Sequence, residues 1–139
     1  MITIVAGPPC AGKTTYVAQQ SRAGDVVVDF DQIAEVLGGS SHDHAPHVAE
    51  LARNARRTVI DLVLDHSDAL RGIRTADVWI IDAAPSPLAL TRYAQRGARF
   101  EVVDPGIETC LSRALADHRP DWTIQEIHRW YATHTGANT

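Results

Sequence analysis

Short runs of β-branched and apolar residues alternate along this chain with longer stretches whose apolar positions recur every three or four residues. Ile2-Thr3-Ile4-Val5-Ala6 is the first such run and reads as a buried strand. A glycine-rich segment follows at once, and Thr14 to Arg22 then reads as a helix closed by Gly24. Val26-Val27-Val28 is a second buried strand, ending at Asp29-Phe30-Asp31. A short helix from Gln32 to Leu37 runs into Gly38-Gly39-Ser40-Ser41, a flexible loop.

From about Pro46 to Leu70 the pattern is helical, and Val48, Leu51, Ala55, Val59, Leu62, His66 and Leu70 are expected to share the buried face. Arg53, Arg56, Arg57 and Asp61 fall mostly elsewhere on that cylinder. Val78-Trp79-Ile80-Ile81-Asp82 is the third strand, broken by Pro85-Ser86-Pro87. A helix from Pro87 to Gln95, ended by Gly97, precedes the fourth strand, Phe100-Glu101-Val102-Val103-Asp104. Two last helices are predicted, Ile107 to about Ala116 and Ile124 to about His134.

Strands alternating with helices at this spacing predict an α/β fold with about four parallel strands sandwiched by helices. Right-handed crossovers bring the loops after Ala6, Val28, Ile81 and Val103 to one edge, where the chemistry is expected. At 139 residues the chain reads as one domain, 1–139, with no internal repeat or linker.

Composition adds boundaries to this picture. No apolar run reaches the roughly 20 residues that span a bilayer, and no basic residue precedes the apolar N-terminus as in a signal peptide. Cys10 and Cys110 have no metal-type spacing, so a reducing, cytoplasmic location is expected. The net charge of −4 argues against a protein that coats nucleic acid through bulk electrostatics, although a local basic groove is compatible with it. Lys13 is the only lysine; every other cationic side chain of the Lys/Arg class is arginine.

That lysine sits in Gly7-Pro8-Pro9-Cys10-Ala11-Gly12-Lys13-Thr14, a full match to the phosphate-gripping loop G-x-x-x-x-G-K-[ST] between a strand and a helix. Its glycines let backbone N–H groups turn inward toward phosphate oxygens, and the next helix aims its positive end at the same anion. Lys13 is expected at the β- and γ-phosphates of a nucleoside triphosphate, Thr14 at Mg²⁺ and Thr15 at the α-phosphate. Asp82, closing an apolar strand, has the usual placement of an acid that holds Mg²⁺ through water, though a turn or cap would also use it.

There is no Asn-Lys-x-Asp guanine-reading motif and no room for a helical lid domain, which leaves the small phosphotransferases. These need a base for the acceptor and cations over the transferred phosphate. Asp31, just past the second strand, is the first choice for the base, with Asp29 as competitor and an N-cap as Asp31's bland alternative. Arg113 and Arg119 bracket the end of the Ile107 helix and can close over the γ-phosphate. Trp122, beside Arg119, is the most plausible base-stacking contact, while Trp130 and Tyr131 read equally well as core. Arg53, Arg56 and Arg57, and separately Arg92, Arg96 and Arg99, either line an acceptor groove or form solvated faces paired with acids. His42, Asp43, His44 and His47 read as a loop beside the acceptor pocket rather than a metal site.

At these residues the chain resembles the kinase domain of phage 5′-hydroxyl polynucleotide kinases. The segments that carry the likeness are Gly-Pro-Pro-x-x-Gly-Lys-Thr-Thr, Val-Asp-Phe-Asp-Gln-Ile, Ile-Ile-Asp and Val-Asp-Pro-Gly-Ile-Glu-Thr-Cys-Leu-Ser-Arg with a further arginine. Related small kinases, including zeta toxins and chloramphenicol phosphotransferase, are similar in order. The likeness spans roughly Met1 to Tyr131, and only the phosphate loop is highly specific.

What the resemblance implies is a P-loop core that transfers the γ-phosphate of ATP, with Mg²⁺, to an alcohol. Asp31 matches the general base, Lys13 and Thr14 the nucleotide grip, Arg113 and Arg119 the lid arginines, and Asp82 the acid after the third strand. The family's usual arginine three residues after the base is Ala34 here, which leaves 5′-end specificity open. The expected acceptor is a hydroxyl of a polynucleotide, DNA or RNA, of a nucleoside or of a modified base. The alternatives are a kinase of an antibiotic or sugar, and a nucleotide-dependent binding module that hydrolyses slowly.

Overall fold

The computed structural model describes residues 1–39, 43–65 and 76–135. Four strands form one all-parallel sheet: β1 (Ile2–Ala6), β2 (Val26–Val28), β3 (Val78–Ile81) and β4 (Arg99–Val102), in the spatial order β2-β3-β1-β4. Six helices accompany them among the described residues: α1 (Lys13–Gln20), α2 (Phe30–Gly38), α3 (Pro46–Asp65), α4 (Pro87–Gln95), α5 (Ile107–Ala116) and α6 (Asp121–Thr135). The predicted α/β class and its four strands are therefore present.

Alternation along the central strands supplies both faces of the sheet with apolar side chains, as burial between helix layers requires. Ile4, Val28, Val78 and Ile80 pack against Ile60, Val63 and Leu64 of α3 and Tyr93 of α4. Val5, Trp79 and Ile81 point the other way and meet Val17 of α1. A third cluster joins Cys110 and Ala114 of α5 to Ile127, Trp130 and Tyr131 of α6, with Ala11 of the glycine loop set into it. β4, by contrast, is an edge strand with Phe100 and Val102 exposed.

The strand order puts β1 in the middle, with β3 on one side and β4 on the other. The chain leaves β1 toward β2 and later returns from β3 across β1 to β4. The sheet's switch point is thus at the C-terminal tip of β1, where the glycine loop begins, and such points are where open α/β sheets hold ligands.

The buried face of α3 differs from the expected one. Ala52, Ile60, Val63 and Leu64 are buried, whereas Leu51 and Leu62 are exposed. Apolar residues occupy two stripes one position apart on this helix, and Arg56 sits within the inner one. That cation interrupted the stripe that the periodicity should have found. His66 and Leu70, also assigned to that face, lie outside the described residues, as do Ser40, Ser41 and His42.

Boundaries shift at two helices, α2 and α6, for local reasons. Asp29 caps α2 by accepting the Asp31 N–H at 3.1 Å, so the helix starts at Phe30 and Asp31 is not its cap. α2 runs on to Gly38, where a Cβ would approach Val48 Cγ1 to 2.8 Å; the missing side chain lets α2 end against the start of α3. α6 begins at Asp121, directly after Pro120, with an acid in its first turn. No helix among the described residues is long and apolar enough to cross a membrane.

Candidate active site

The glycine loop curls back over the tip of β1 and grips its own lysine. Lys13 Nζ donates to the carbonyls of Gly7 at 2.8 Å and Pro8 at 2.6 Å. Cys10 and Gly12 have positive φ, 62° and 96°, which turns the intervening backbone inward. Gly12 is the N-cap of α1 and supplies no side-chain cap, and the first turn holds no acid. The helix therefore presents uncapped N–H groups beside the ammonium, a combination suited to an anion. Burial pushes the Lys13 pKa down to about 8, with the Asp29 carboxylate acting in the opposite direction.

Gly7 has no space for a side chain: a Cβ there would stand 2.3 Å from the backbone carbonyl oxygen of Val103. Its N–H also bonds to Ala83 O at 3.2 Å, and Val103 N–H to Ala6 O at 2.9 Å, so the loop's root is tied to β3 and to the end of β4. Gly7→Ala is expected to displace the loop, costing roughly 1–3 kcal/mol of stability and most of its anion affinity. Chemical denaturation together with phosphate or nucleotide titration checks this; unchanged values in both would remove the close approach as a constraint.

At the tip of β2 the two aspartates divide their work. Asp29 is buried; its Oδ2 accepts from Thr14 Oγ1 at 2.7 Å and its Oδ1 from the Asp31 N–H. Both of its oxygens are thus engaged by protein donors. The Asp31 side chain is 53% exposed, and its Oδ1 meets His44 Nε2 at 3.1 Å. At the tip of β3, Asp82 Oδ2 accepts from Tyr93 OH at 3.1 Å and lies 3.7 Å from Arg56 Nη2, which donates to Ile81 O at 2.9 Å. Burial, reinforced by the Asp82 carboxylate, pushes the Tyr93 phenol up to about 12, so it remains a donor. The acid bonded to Thr14 is Asp29, therefore, and Asp82 is held by Arg56 and Tyr93.

The α5–α6 corner closes the other side. Arg113 Nη1 donates to Cys10 O at 3.1 Å, pinning the glycine loop. Arg119 Nε is buried and has no hydrogen-bond partner, and the Thr123 hydroxyl is in the same situation. Trp122 is exposed, whereas Trp130 and Tyr131 belong to the core. Burial and the Arg119 charge act in opposite directions on the Cys10 thiol, and burial prevails, raising its pKa.

These groups face one cavity of about 940 Å³. Pro9 through Thr15 form its floor, Asp29, Asp31, Asp82, Arg53 and Arg56 one wall, and Arg113, Arg119 and Trp122 the other. Gly7 and Pro8 lie beneath, reaching the cavity only through their carbonyls on Lys13. No family model matches this chain, and no curated protein does. The arrangement must be read from its own chemistry.

The predicted convergence of strand ends holds for β1, β2 and β3. The end of β4 instead supports the loop from below through Val103, while Asp104 accepts from Tyr131 OH and from the Gly106 N–H. Arg92, Arg96 and Arg99 lie away from the cavity, paired with Asp61 and Asp65, with Asp65, and with Glu101 respectively. Arg57 is likewise not among the lining residues. Among the described residues no group of three or more His, Cys, Asp or Glu could hold a metal on its own, and His42 lies outside them.

Sequence reasoning missed two contacts. Arg56 was grouped with its exposed neighbours, yet it lies four residues from both Ala52 and Ile60 and shares their inner stripe. His44 was read only as part of a polar loop, and nothing in its spacing announced a bond to Asp31.

Proposed function

We propose that this chain is a P-loop kinase that moves the γ-phosphate of ATP to a hydroxyl of a polynucleotide, nucleoside or modified base. The observation that carries this reading is one cavity holding a phosphate cradle, a half-exposed carboxylate and a guanidinium with a buried N–H lacking an acceptor. A cradle alone would suit any nucleotide binder; the carboxylate opposite it gives an acceptor hydroxyl somewhere to leave its proton.

The residues present suit a triphosphate and its ion. The inward-turned backbone at Cys10 and Gly12 suits phosphate oxygens, and the Arg119 Nε–H lacks an acceptor that an anion would supply. Thr14 would hold Mg²⁺, with Asp29 orienting its hydroxyl and Asp82 lining the same cavity. An ion held there would supply neutralisation of the phosphate charge. Lys13 leaves the Gly7 and Pro8 carbonyls for phosphate oxygens, and Trp122 offers an aromatic face to the base.

In the transfer itself, Asp31 accepts the acceptor's proton as that oxygen bonds to the γ-phosphorus. The bond from phosphorus to the β–γ bridging oxygen breaks, and ADP keeps that electron pair. Arg119 offsets charge on the equatorial oxygens, and half-exposed Asp31 returns its proton to water. Ala34 is fully buried, so the family's arginine position ends in the core here; guanidiniums on the acceptor wall come from Arg53 and Arg56 of α3 instead. Two guanidiniums in the cavity that Asp31 also lines, one of them held by Asp82, favour an acceptor that carries phosphate over a neutral antibiotic.

The deciding experiment offers γ-labelled ATP and magnesium with 5′-hydroxyl DNA and RNA oligonucleotides, nucleosides and hydroxylated antibiotics. Label is expected on a nucleic-acid or nucleoside acceptor, with affinity for the polymer falling steeply as salt rises. Label on none of them, with slow loss of ATP, overturns the kinase reading in favour of a binding module.

Lys13 gives the nucleotide step its own pH signature. With its pKa at about 8, the ammonium is present below that pH and is lost above it, and bound phosphate favours the charged form. ATP affinity should hold steady up to about pH 8 and then fall by up to roughly tenfold per pH unit. Calorimetry from pH 7.5 upward, above the phosphate's own titration at about 6, should also show proton uptake on binding. Uptake that persists in Lys13→Met would assign the effect elsewhere.

A further inference from the structure

The loop between α2 and α3 places a buried imidazole behind the exposed carboxylate at the tip of β2. The His44 side chain is 5% exposed, and its Nε2 lies 3.1 Å from Asp31 Oδ1. Its ring stands edge-on to Phe30, with centroids 5.7 Å apart and planes at 80°. Nδ1, buried on the far side, has no hydrogen-bond partner. His44 does not line the cavity, whereas Asp31 does.

An ionised carboxylate only accepts hydrogen bonds, so the proton on this imidazole is assigned to Nε2, and Nδ1 keeps a buried lone pair with no donor. Leaving such a group unsatisfied typically costs about 1–3 kcal/mol. A phenylalanine or leucine would fill the space beside Phe30 without that cost. Among the described residues, the bond to Asp31 is the one feature of His44 that an apolar side chain could not reproduce.

We propose that His44 is a positioning residue for Asp31: its Nε2–H clamps Oδ1 so that Oδ2 is presented to the acceptor hydroxyl. The carboxylate sits on an exposed first turn of α2, with backbone contacts fixing its Cα and nothing else among the described residues fixing its χ angles. Clamping one oxygen removes that freedom before the acceptor arrives, which is the entropic part of a proton transfer in a prepared geometry. His44 keeps its proton throughout; only Asp31 exchanges one. The catalytic consequence rests on the kinase reading, while the clamp does not.

Three variants separate the clamp from packing. The amide nitrogen of His44→Gln reaches about as far as Nε2, that of His44→Asn only as far as Nδ1, and His44→Ala removes the donor. With γ-labelled ATP and a 5′-hydroxyl oligonucleotide, His44→Ala and His44→Asn should lose roughly 10- to 100-fold in kcat, the range for partners that orient a reacting group, with KM for ATP unchanged. His44→Gln should recover most of that loss. Equal activity in Gln and Asn variants that fold equally well, or full activity in Ala, overturns the proposal.

If the wild type labels no acceptor, the kinase reading fails, and the clamp is read by nitrogen-15 NMR of the imidazole. A protected Nε2–H signal that disappears in Asp31→Ala, which removes the acceptor, supports the clamp; a signal indifferent to that substitution overturns it.

Discussion

Asp31→Asn is expected to lower phosphotransfer by roughly 10²–10⁴-fold while ATP binding survives. The substitution keeps the size of the side chain and leaves the residue-31 N–H on Asp29 Oδ1, so α2 retains its cap. What disappears is the basic oxygen. The parallel change at Asp29 should behave differently. Asp29 is buried, with Thr14 Oγ1 on one oxygen and the Asp31 N–H on the other. An asparagine there turns one acceptor into a donor facing a donor, a mismatch that costs on the order of 1–3 kcal/mol. Asp29→Asn should therefore lower stability and nucleotide affinity together, whereas Asp31→Asn should touch neither. Calorimetry with Mg-ATP and thermal melts of both variants, beside the label assay, distinguish the two aspartates. Retained transfer in Asp31→Asn would remove it from the mechanism, and a loss of ATP binding in the same variant would recast it as part of the nucleotide grip.

The glycine loop between β1 and α1 was legible in the sequence because its geometry is local. Eight consecutive residues between a strand and a helix define both the curl and the cation, and no distant contact is needed to find them. The first two strands were legible for a similar reason, since Ile2–Ala6 and Val26–Val28 are runs of mostly β-branched residues that need no phase assignment; β2, however, lies at the sheet's edge with only Val28 buried. Phase is where the reading of α3 failed. A cation within the inner stripe is invisible to a rule that expects apolar residues there, so Leu51 and Leu62 were assigned inward and Arg56 outward. The same rule could not reveal why Arg56 is there, because its partners, Ile81 O and Asp82, are 25 and 26 positions along the chain. His44 shows the other limit. His44 lies outside any helix or strand, 13 positions from Asp31, and contacts of such residues leave no periodic trace. The division of labour between Asp29 and Asp31 was half legible: both were candidates after the strand, but it is the start of α2 at Phe30 that turns their side chains apart, and the approach of α1 that gives Thr14 to Asp29.

Arg119→Ala should produce a loss in turnover of similar or greater size, on the order of 10³-fold, which is the lower end for a guanidinium that stabilises a transferring phosphoryl group. The two arginines of the α5–α6 corner differ in a way that makes this testable. Arg113 is committed to Cys10 O and stands 3.6 Å from the position a Cβ on Gly12 would take, so its removal loosens the loop itself. Arg119 has a buried Nε–H with no protein acceptor, so deleting its side chain breaks no hydrogen bond at that atom. Its loss should leave the melting temperature nearly unchanged or slightly raised, because an unsatisfied buried donor is removed. Arg113→Ala, in contrast, should weaken ATP binding as well as turnover. Arg119→Lys is not expected to restore activity, since an ammonium on a flexible stem cannot present the guanidinium's fixed donors to two oxygens at once. Single-turnover measurements at saturating ATP isolate the step in which Arg119 acts. If Arg119→Ala transferred phosphate at the wild-type rate, the acceptor for its buried N–H would have to be something other than the phosphoryl group in flight.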